Sequence, residues 1–359
     1  MLTGVETAVH GVYGNSILQD DAFRPATEHD IRTKTIARIA QEAGLDVASL
    51  GFGLLPPAHT SIHIDPWWQH LQQQGLSNIK IPSKRAAANI APVRRDPGAR
   101  LAEFLNVPLS LGSTEAPDSN LHPHIIGLAS DHLMLQLAGD LACSDDAPDL
   151  ILTEFASTDV IQHYHGFDCA ATNWAYQIAD MAVGRLLHRL ALAGRMDDYV
   201  LVIASDHGQA AIHTALYPQA LIPHDRWVSE GASLHVLATD PAESESIHTR
   251  LRGLGVTPLE GAHLPEAVRA KGLVTFVAPD GCAFERRPPS AADDATTGSP
   301  TMVSTHGLGP GHPGDDAIAI VAGAGTRGRI ASADLCEVAP TIAHLLGLAF
   351  DGSAARAWL

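Results

Sequence analysis

VLVIASDHGQ, residues 200–209, decides how this chain is read. Val200 to Ala204 form a short aliphatic run rich in β-branched residues, the pattern of a strand buried inside a sheet. The run ends in Ser205-Asp206-His207-Gly208, and the glycine permits a sharp backbone turn there. In open parallel sheets, function collects at the carboxyl ends of the strands. A buried strand that stops at Asp-His-Gly is therefore a candidate site, and the sequence on either side is read from it.

Upstream, PDLILTEFAS (148–157) is a second apolar strand, expected to be buried on both faces. Asp159 and His163 follow it, four residues apart, so one turn of helix places both on one side. Between the two strands lies the longest helical stretch, 167–194, closed by Gly194 as a C-terminal glycine closes a helix. Further upstream the pattern gives a helix over 31–44, a strand over 46–53 and a helix over 129–143 with Asp131 near its start. Downstream it gives strands at 231–240 and 273–281 with a helix near 241–253 between them, and a loop rich in Pro, Ala, Asp and Thr at 283–301. Thr305-His306-Gly307 precedes another strand at 315–325, and a helix over 332–347 closes the series. This rhythm predicts an α/β fold, a mostly parallel central sheet flanked by helices. The chain reads as a single domain over 1–359, with 54–125 as a cap segment over the site and 223–303 as an insert.

Composition limits the function. The chain has 359 residues, long enough for a large buried core. Its 23 Lys and Arg stand against 40 Asp and Glu, a net charge of −17 that disfavours binding to a nucleic-acid polymer. A small phosphorylated substrate is compatible with that charge, because a metal inverts the field locally. No apolar run reaches membrane-spanning length, so no membrane partner is expected. Four cysteines without C-x-x-C spacing (Cys143, Cys169, Cys282, Cys336) favour a reducing, cytoplasmic location. The basic residues Lys80, Lys84, Arg85, Arg94 and Arg95 could meet an anionic substrate, although a solvated face is the favoured reading of them.

Twenty histidines are too many for all to act, so position must select among them. His163, His207 and His306 each lie at a strand end, and two of them have an Asp close by. Carboxylate with imidazole suits zinc, manganese or iron. His165 and His312 read as neighbours of such a site, and His188, His213 and His344 as ordinary helix or loop residues.

Taken in order, Asp159-x-x-x-His163-x-x-Gly166, VLVIASDHGQ (200–209), STHGLGPGHPGDDAIAIVAGAG (304–325) and VAPTIAHLLGL (338–348) resemble the alkaline phosphatase superfamily. The resemblance is to its nucleotide pyrophosphatase/phosphodiesterase branch, whose relatives include phosphonoacetate hydrolase. It implies two divalent metal ions, most simply zinc. Asp159, His163 and His306 would hold one, and Asp206 and His207 the second. It further implies a Thr or Ser nucleophile that forms a covalent phospho-enzyme, splitting one hard displacement into two easier ones. A sulfatase or phosphomonoesterase of the same superfamily, and a non-catalytic metal- or phosphate-binding remnant, are the competing expectations.

The same resemblance extends to the start of the chain. Leu2-Thr3-Gly4 and His10-Gly11, followed by Asn15, match the family pattern from residue 2 onward. That match implies an Asn15 amide donating to a phosphoryl oxygen, with a plain turn residue as the lesser alternative. Thr3 aligns with a structural turn. The family's first strand, the Asp at its end and the nucleophile segment are expected to lie before residue 1, which would leave the second metal short of a ligand and the sheet with a gap.

Overall fold

The computed structural model describes residues 1–73, 81–82, 91–105, 120–121, 123–323, 328–350 and 357–358. Lys80, Lys84, Arg85 and much of the 54–125 cap segment lie outside the described residues. The elements used below, in chain order, begin with the hairpin β1 (Ser16–Gln19) and β2 (Ala22–Pro25), then α1 (Ile36–Glu42), β3 (Val47–Leu50), β4 (Ile62–Ile64) and α2 (Trp67–Gln73). There follow β5 (Val93–Arg95), α3 (Pro123–Ala142), β6 (Leu150–Thr153), α4 (Ser157–His165), α5 (Ala170–Leu192), β7 (Leu201–Ala204) and β8 (Ala210–Ala211). The remainder are β9 (Trp227–Glu230), β10 (Ser233–Leu237), α6 (Pro241–Arg252), β11 (Thr257–Leu259), β12 (Leu273–Val277), β13 (Ser304–Thr305), β14 (Ala319–Ala322) and α7 (Val338–Leu345).

The central sheet has the order β5-β4-β3-β6. β3 is parallel to β4 and to β6, with Ala48 opposite Ile62 on one side and Ile151 on the other, while β5 runs antiparallel at the edge. Alternation along each strand feeds two cores. Ala48, Leu50, Ile62 and Ile64 pack with Trp67 of α2 and Ile126, Met134 and Leu137 of α3. Val47, Leu150 and Leu152 face the other way, against Ile36 and Ala40 of α1 and Val338, Ala339 and Ile342 of α7. Each large aliphatic side chain buried this way contributes roughly 1.5–3 kcal/mol. The expected α/β sheet flanked by helices is therefore present, with β3 buried along its whole length.

Two expectations are corrected. α3 starts at Pro123, so Asp131 sits in the middle of the helix and not near its start. Proline suits the first turn of a helix, where its missing N–H costs nothing. The second correction is β7, whose four residues are only half-buried. It pairs antiparallel with β14 alone, and among the described residues no strand ladder joins it to β6. The two strands nevertheless start side by side, because the Tyr199 hydroxyl donates to the Pro148 carbonyl at 2.8 Å and Arg195 Nη1 to the Ser144 carbonyl at 2.9 Å. Their unpaired facing edges leave β7 and its neighbour β14, with Ile318 and Ile320, open to solvent.

Residues 227–277 form a separate antiparallel sheet, β9-β10-β12-β11, covered by Ile247 and Leu251 of α6. The strands expected at 231–240 and 273–281 are therefore neighbours in this second sheet. Arg94 pairs with Asp65 and Glu28, and Arg95 Nε donates to the Thr60 carbonyl, so both basic residues are held by the fold. Among the described residues no helix is long and apolar enough to cross a membrane.

Candidate metal centre

Three chain segments meet beyond the carboxyl ends of β6 and β7. The first is α4, which follows β6 directly and carries Asp159 in its first turn and His163 in its last. The second is the turn after β7, residues 205–209, leading into β8. The third is His306, directly after β13. A two-residue antiparallel ladder joins the second and third, with Ala210 opposite Thr305 and Ala211 opposite Ser304. The Val303 amide donates to the His163 carbonyl at 2.8 Å, which ties the third segment to the first.

The ligand atoms of Asp159, His207 and His306 all lie within 4.8 Å of one another, and all three residues are half-buried. The His207 and His306 rings stack with centroids 3.8 Å apart and planes 21° from parallel. His306 Nε2 is 3.9 Å from Asp159 Oδ1. His163 stands on the other side, its Nε2 3.4 Å from the same carboxylate oxygen and its ring centroid 5.0 Å from that of His306. His163 Nδ1 lies 2.9 Å from the Ser304 carbonyl, which can only accept. That nitrogen therefore carries a proton, and Nε2 is the ring atom that faces the Asp159 carboxylate, where a metal ion would take the place of its proton.

Electrostatics fit ligation. Burial raises the Asp159 carboxyl, but the neighbouring His163, His306 and His207 outweigh it and hold it at about 2, so it is ionised at neutral pH. Burial, with repulsion from His207, lowers the His306 imidazole to about 4 and keeps it neutral. Burial also lowers His163, but its hydrogen bond to Asp159 and their mutual attraction win, and the result is raised. An ionised carboxylate beside the neutral His306 imidazole suits a borderline divalent cation.

Glycine is required twice in this arrangement. A β-carbon at Gly208 would stand 2.5 Å from the Gly314 carbonyl oxygen and 2.8 Å from that of Asp316. Gly307 has φ +72°, and a β-carbon there would stand 2.8 Å from the Glu230 carbonyl oxygen. Both glycines let backbone approach backbone beside a histidine of the cluster.

The other expected residues are placed less tightly. The Asp206 side chain is 71% exposed, 3.5 Å from His207 Nε2, and stands outside the three-residue group. Asn15 is exposed, and its backbone amide, with that of Ser16, donates to the two carboxylate oxygens of Glu230 at 2.8 and 2.7 Å. Glu230 ends β9, and the adjoining Ala232 amide donates to the His306 carbonyl, so Asn15 is anchored one hairpin away from the cluster. His312 accepts from the Gly314 amide and pairs with Asp280. The nearby hydroxyls are engaged elsewhere: Thr158 donates to the Phe155 carbonyl, Ser304 to the Gln162 carbonyl, and Ser205 accepts from the Ile318 amide. Thr3 is buried, in the turn whose neighbour Leu2 accepts from the Ile36 amide.

Two residues of the site were not singled out from sequence. The Gln209 side-chain amide donates to the Asp159 carboxylate and carbonyl, and its oxygen shares the Ser304 hydroxyl proton with the Gln162 carbonyl, so it ties the second segment to the other two. Its place directly after Ser-Asp-His-Gly was the available signal. Glu230 had none, because its partners are more than 200 residues away in sequence.

An α/β sheet with carboxylate and imidazole gathered at its strand ends is consistent with the alkaline-phosphatase-like class. The sequence matches the family described as type I phosphodiesterase / nucleotide pyrophosphatase over residues 1–275, and the chain belongs to that family. Among solved structures it is similar to murine ectonucleotide pyrophosphatase / phosphodiesterase 5, with 14% identity, TM-score 0.64, and 99% of this chain and 84% of that one covered. The human protein of that name gives 13% identity and TM-score 0.64, covering 99% of this chain and 83% of that one. An inactive variant of the murine protein in complex with AMP is similar at 14% identity and TM-score 0.64, over 99% of this chain and 83% of that one. Among curated proteins, none matches the chain.

Proposed function

We propose that this chain is a metal-dependent phosphodiesterase or pyrophosphatase scaffold that takes a small phosphorylated substrate, a nucleotide being the first candidate. The observation that carries it is the convergence of Asp159, His207 and His306 from three segments onto one point. These residues would hold one divalent ion, most simply zinc, with His163 as the further donor in reach. Asp206, exposed beside His207, would hold a second and weaker one. A bound cation would supply charge neutralisation on a phosphoryl group. The protein's own contribution is to keep Asp159 ionised, His306 neutral and the three segments locked by Gln209 and Ser304. The nucleotide reading follows from family membership and from the AMP bound by the similar murine protein.

A second reading, binding with little turnover, is supported by Thr158 and Ser304 each donating to a backbone carbonyl and not to a base that could activate it as a nucleophile. One experiment separates the two. Residues 1–359 are assayed for hydrolysis of bis-p-nitrophenyl phosphate with zinc or manganese, beside calorimetric binding of AMP. Metal-dependent hydrolysis that vanishes in His306→Ala supports the enzyme. AMP binding without hydrolysis supports the second reading. Neither hydrolysis nor metal-dependent binding rejects both.

A further inference from the structure

We propose that Asp131 is a positioning residue for the metal centre: from the middle of α3 it caps the start of α4 and so fixes where Asp159 stands. The inference rests on the metal reading above and adds a residue to it. α4 begins abruptly after β6, and its N-cap position is Ala156, which has no side chain able to accept from the free amides of the first turn. Asp131 takes that role from another helix. Its Oδ2 accepts from the Ser157 amide at 2.7 Å, and its Oδ1 accepts from Trp67 Nε1 at 3.0 Å. Asp131 is only 2% exposed, so no water competes for these bonds.

A second observation shows that the contact is built into the packing. Gly127 lies one turn before Asp131, on the same face of α3. A β-carbon at Gly127 would stand 2.5 Å from the Trp67 ring and 3.0 Å from the Ser157 hydroxyl. The helix is thus bare at one turn and carboxylated at the next, where it meets Trp67 and Ser157. Ser157 is two residues before Asp159, roughly 3 Å along the helix axis. A shift of the first turn of α4 is therefore carried to the metal-binding carboxylate almost undiminished.

The test compares Asp131→Ala, Asp131→Asn and the double variant Asp131→Asn/Trp67→Phe with the unaltered chain and with Trp67→Phe. Zinc affinity is measured by calorimetry on samples shown to be folded by near-ultraviolet circular dichroism. Amide hydrogen exchange is followed across α4 and α5. Asp131→Ala is expected to weaken zinc binding about 10–100-fold, the usual effect of losing an outer-shell partner. It should also speed exchange in the first turn of α4 while sparing α5. Asp131→Asn can still accept from Ser157, but its amide then faces the Trp67 N–H, donor against donor. Removing that donor should return zinc affinity to within threefold of Trp67→Phe alone. A folded Asp131→Ala with unchanged zinc affinity overturns the proposal, as does a double variant no better than Asp131→Asn. If the unaltered chain binds no zinc, the metal reading fails. The cap is then judged by exchange alone, and unchanged α4 protection overturns it.

Discussion

The buried carboxylate that caps α4 has a consequence for stability that can be worked through. Burial raises the Asp131 carboxyl to about 7, against hydrogen bonds from Ser157 and Trp67 that pull it down. In the unfolded chain an aspartate titrates near about 3.9. Between those values the folded protein binds a proton that the unfolded chain has lost, so folding is favoured at the acidic end. The contribution is fully present below about pH 4 and is lost as the pH rises through about 7, roughly 4 kcal/mol in all. From pH 5 to pH 8 the expected loss is about 3 kcal/mol, a large share of a typical domain's stability. Glu154, raised to about 7 by burial, loses stability in the same direction. Comparison with Asp131→Asn, which cannot titrate, separates the two. Urea unfolding at pH 5 and pH 8 should show the variant gaining on the unaltered chain by about 3 kcal/mol across the interval. A difference between the two proteins that does not change with pH would refute the assignment of a buried, protonated Asp131.

Two other expectations follow from the site. Gly307→Ala places a β-carbon at φ +72°, against the Glu230 carbonyl, and should destabilise the fold by about 1–3 kcal/mol in urea unfolding while weakening zinc binding. Gln209→Ala removes the bridge between Asp159 and Ser304, and should lower zinc affinity about 10–100-fold with a stability loss near 1 kcal/mol, read by calorimetry and thermal melting.

What the sequence showed depended on how locally each feature is encoded. Asp159 and His163 could be read as a pair because one helical turn sets their spacing. The alternation of Val47, Ala48 and Leu50 was legible for the same reason, since period two assigns each residue its face. The burial of β7 was overestimated. Val202 and Ile203 show that the strand favours burial, but not which edge finds a partner. The stacking of His207 on His306 could not be foreseen either. It depends on a ladder between residues 210–211 and 304–305, set by chain closure over nearly a hundred residues. The pairing of His207 with Asp206 came from the resemblance; in the fold the His207 imidazole lies near Asp159 and His306, and the Asp206 carboxylate is exposed to solvent. Asp131 was visible as a polar residue in an apolar helix, but its purpose lies in the amide of Ser157, 26 residues on.

The account stands on Asp159, His207 and His306 forming one metal centre. A crystal of this chain grown with zinc, measured on both sides of the zinc absorption edge, tests that directly. The expected result is an anomalous peak about 2.0–2.2 Å from an Asp159 carboxylate oxygen and from one ring nitrogen each of His207 and His306. A fully occupied zinc bound elsewhere, with these three side chains left unligated, would contradict it.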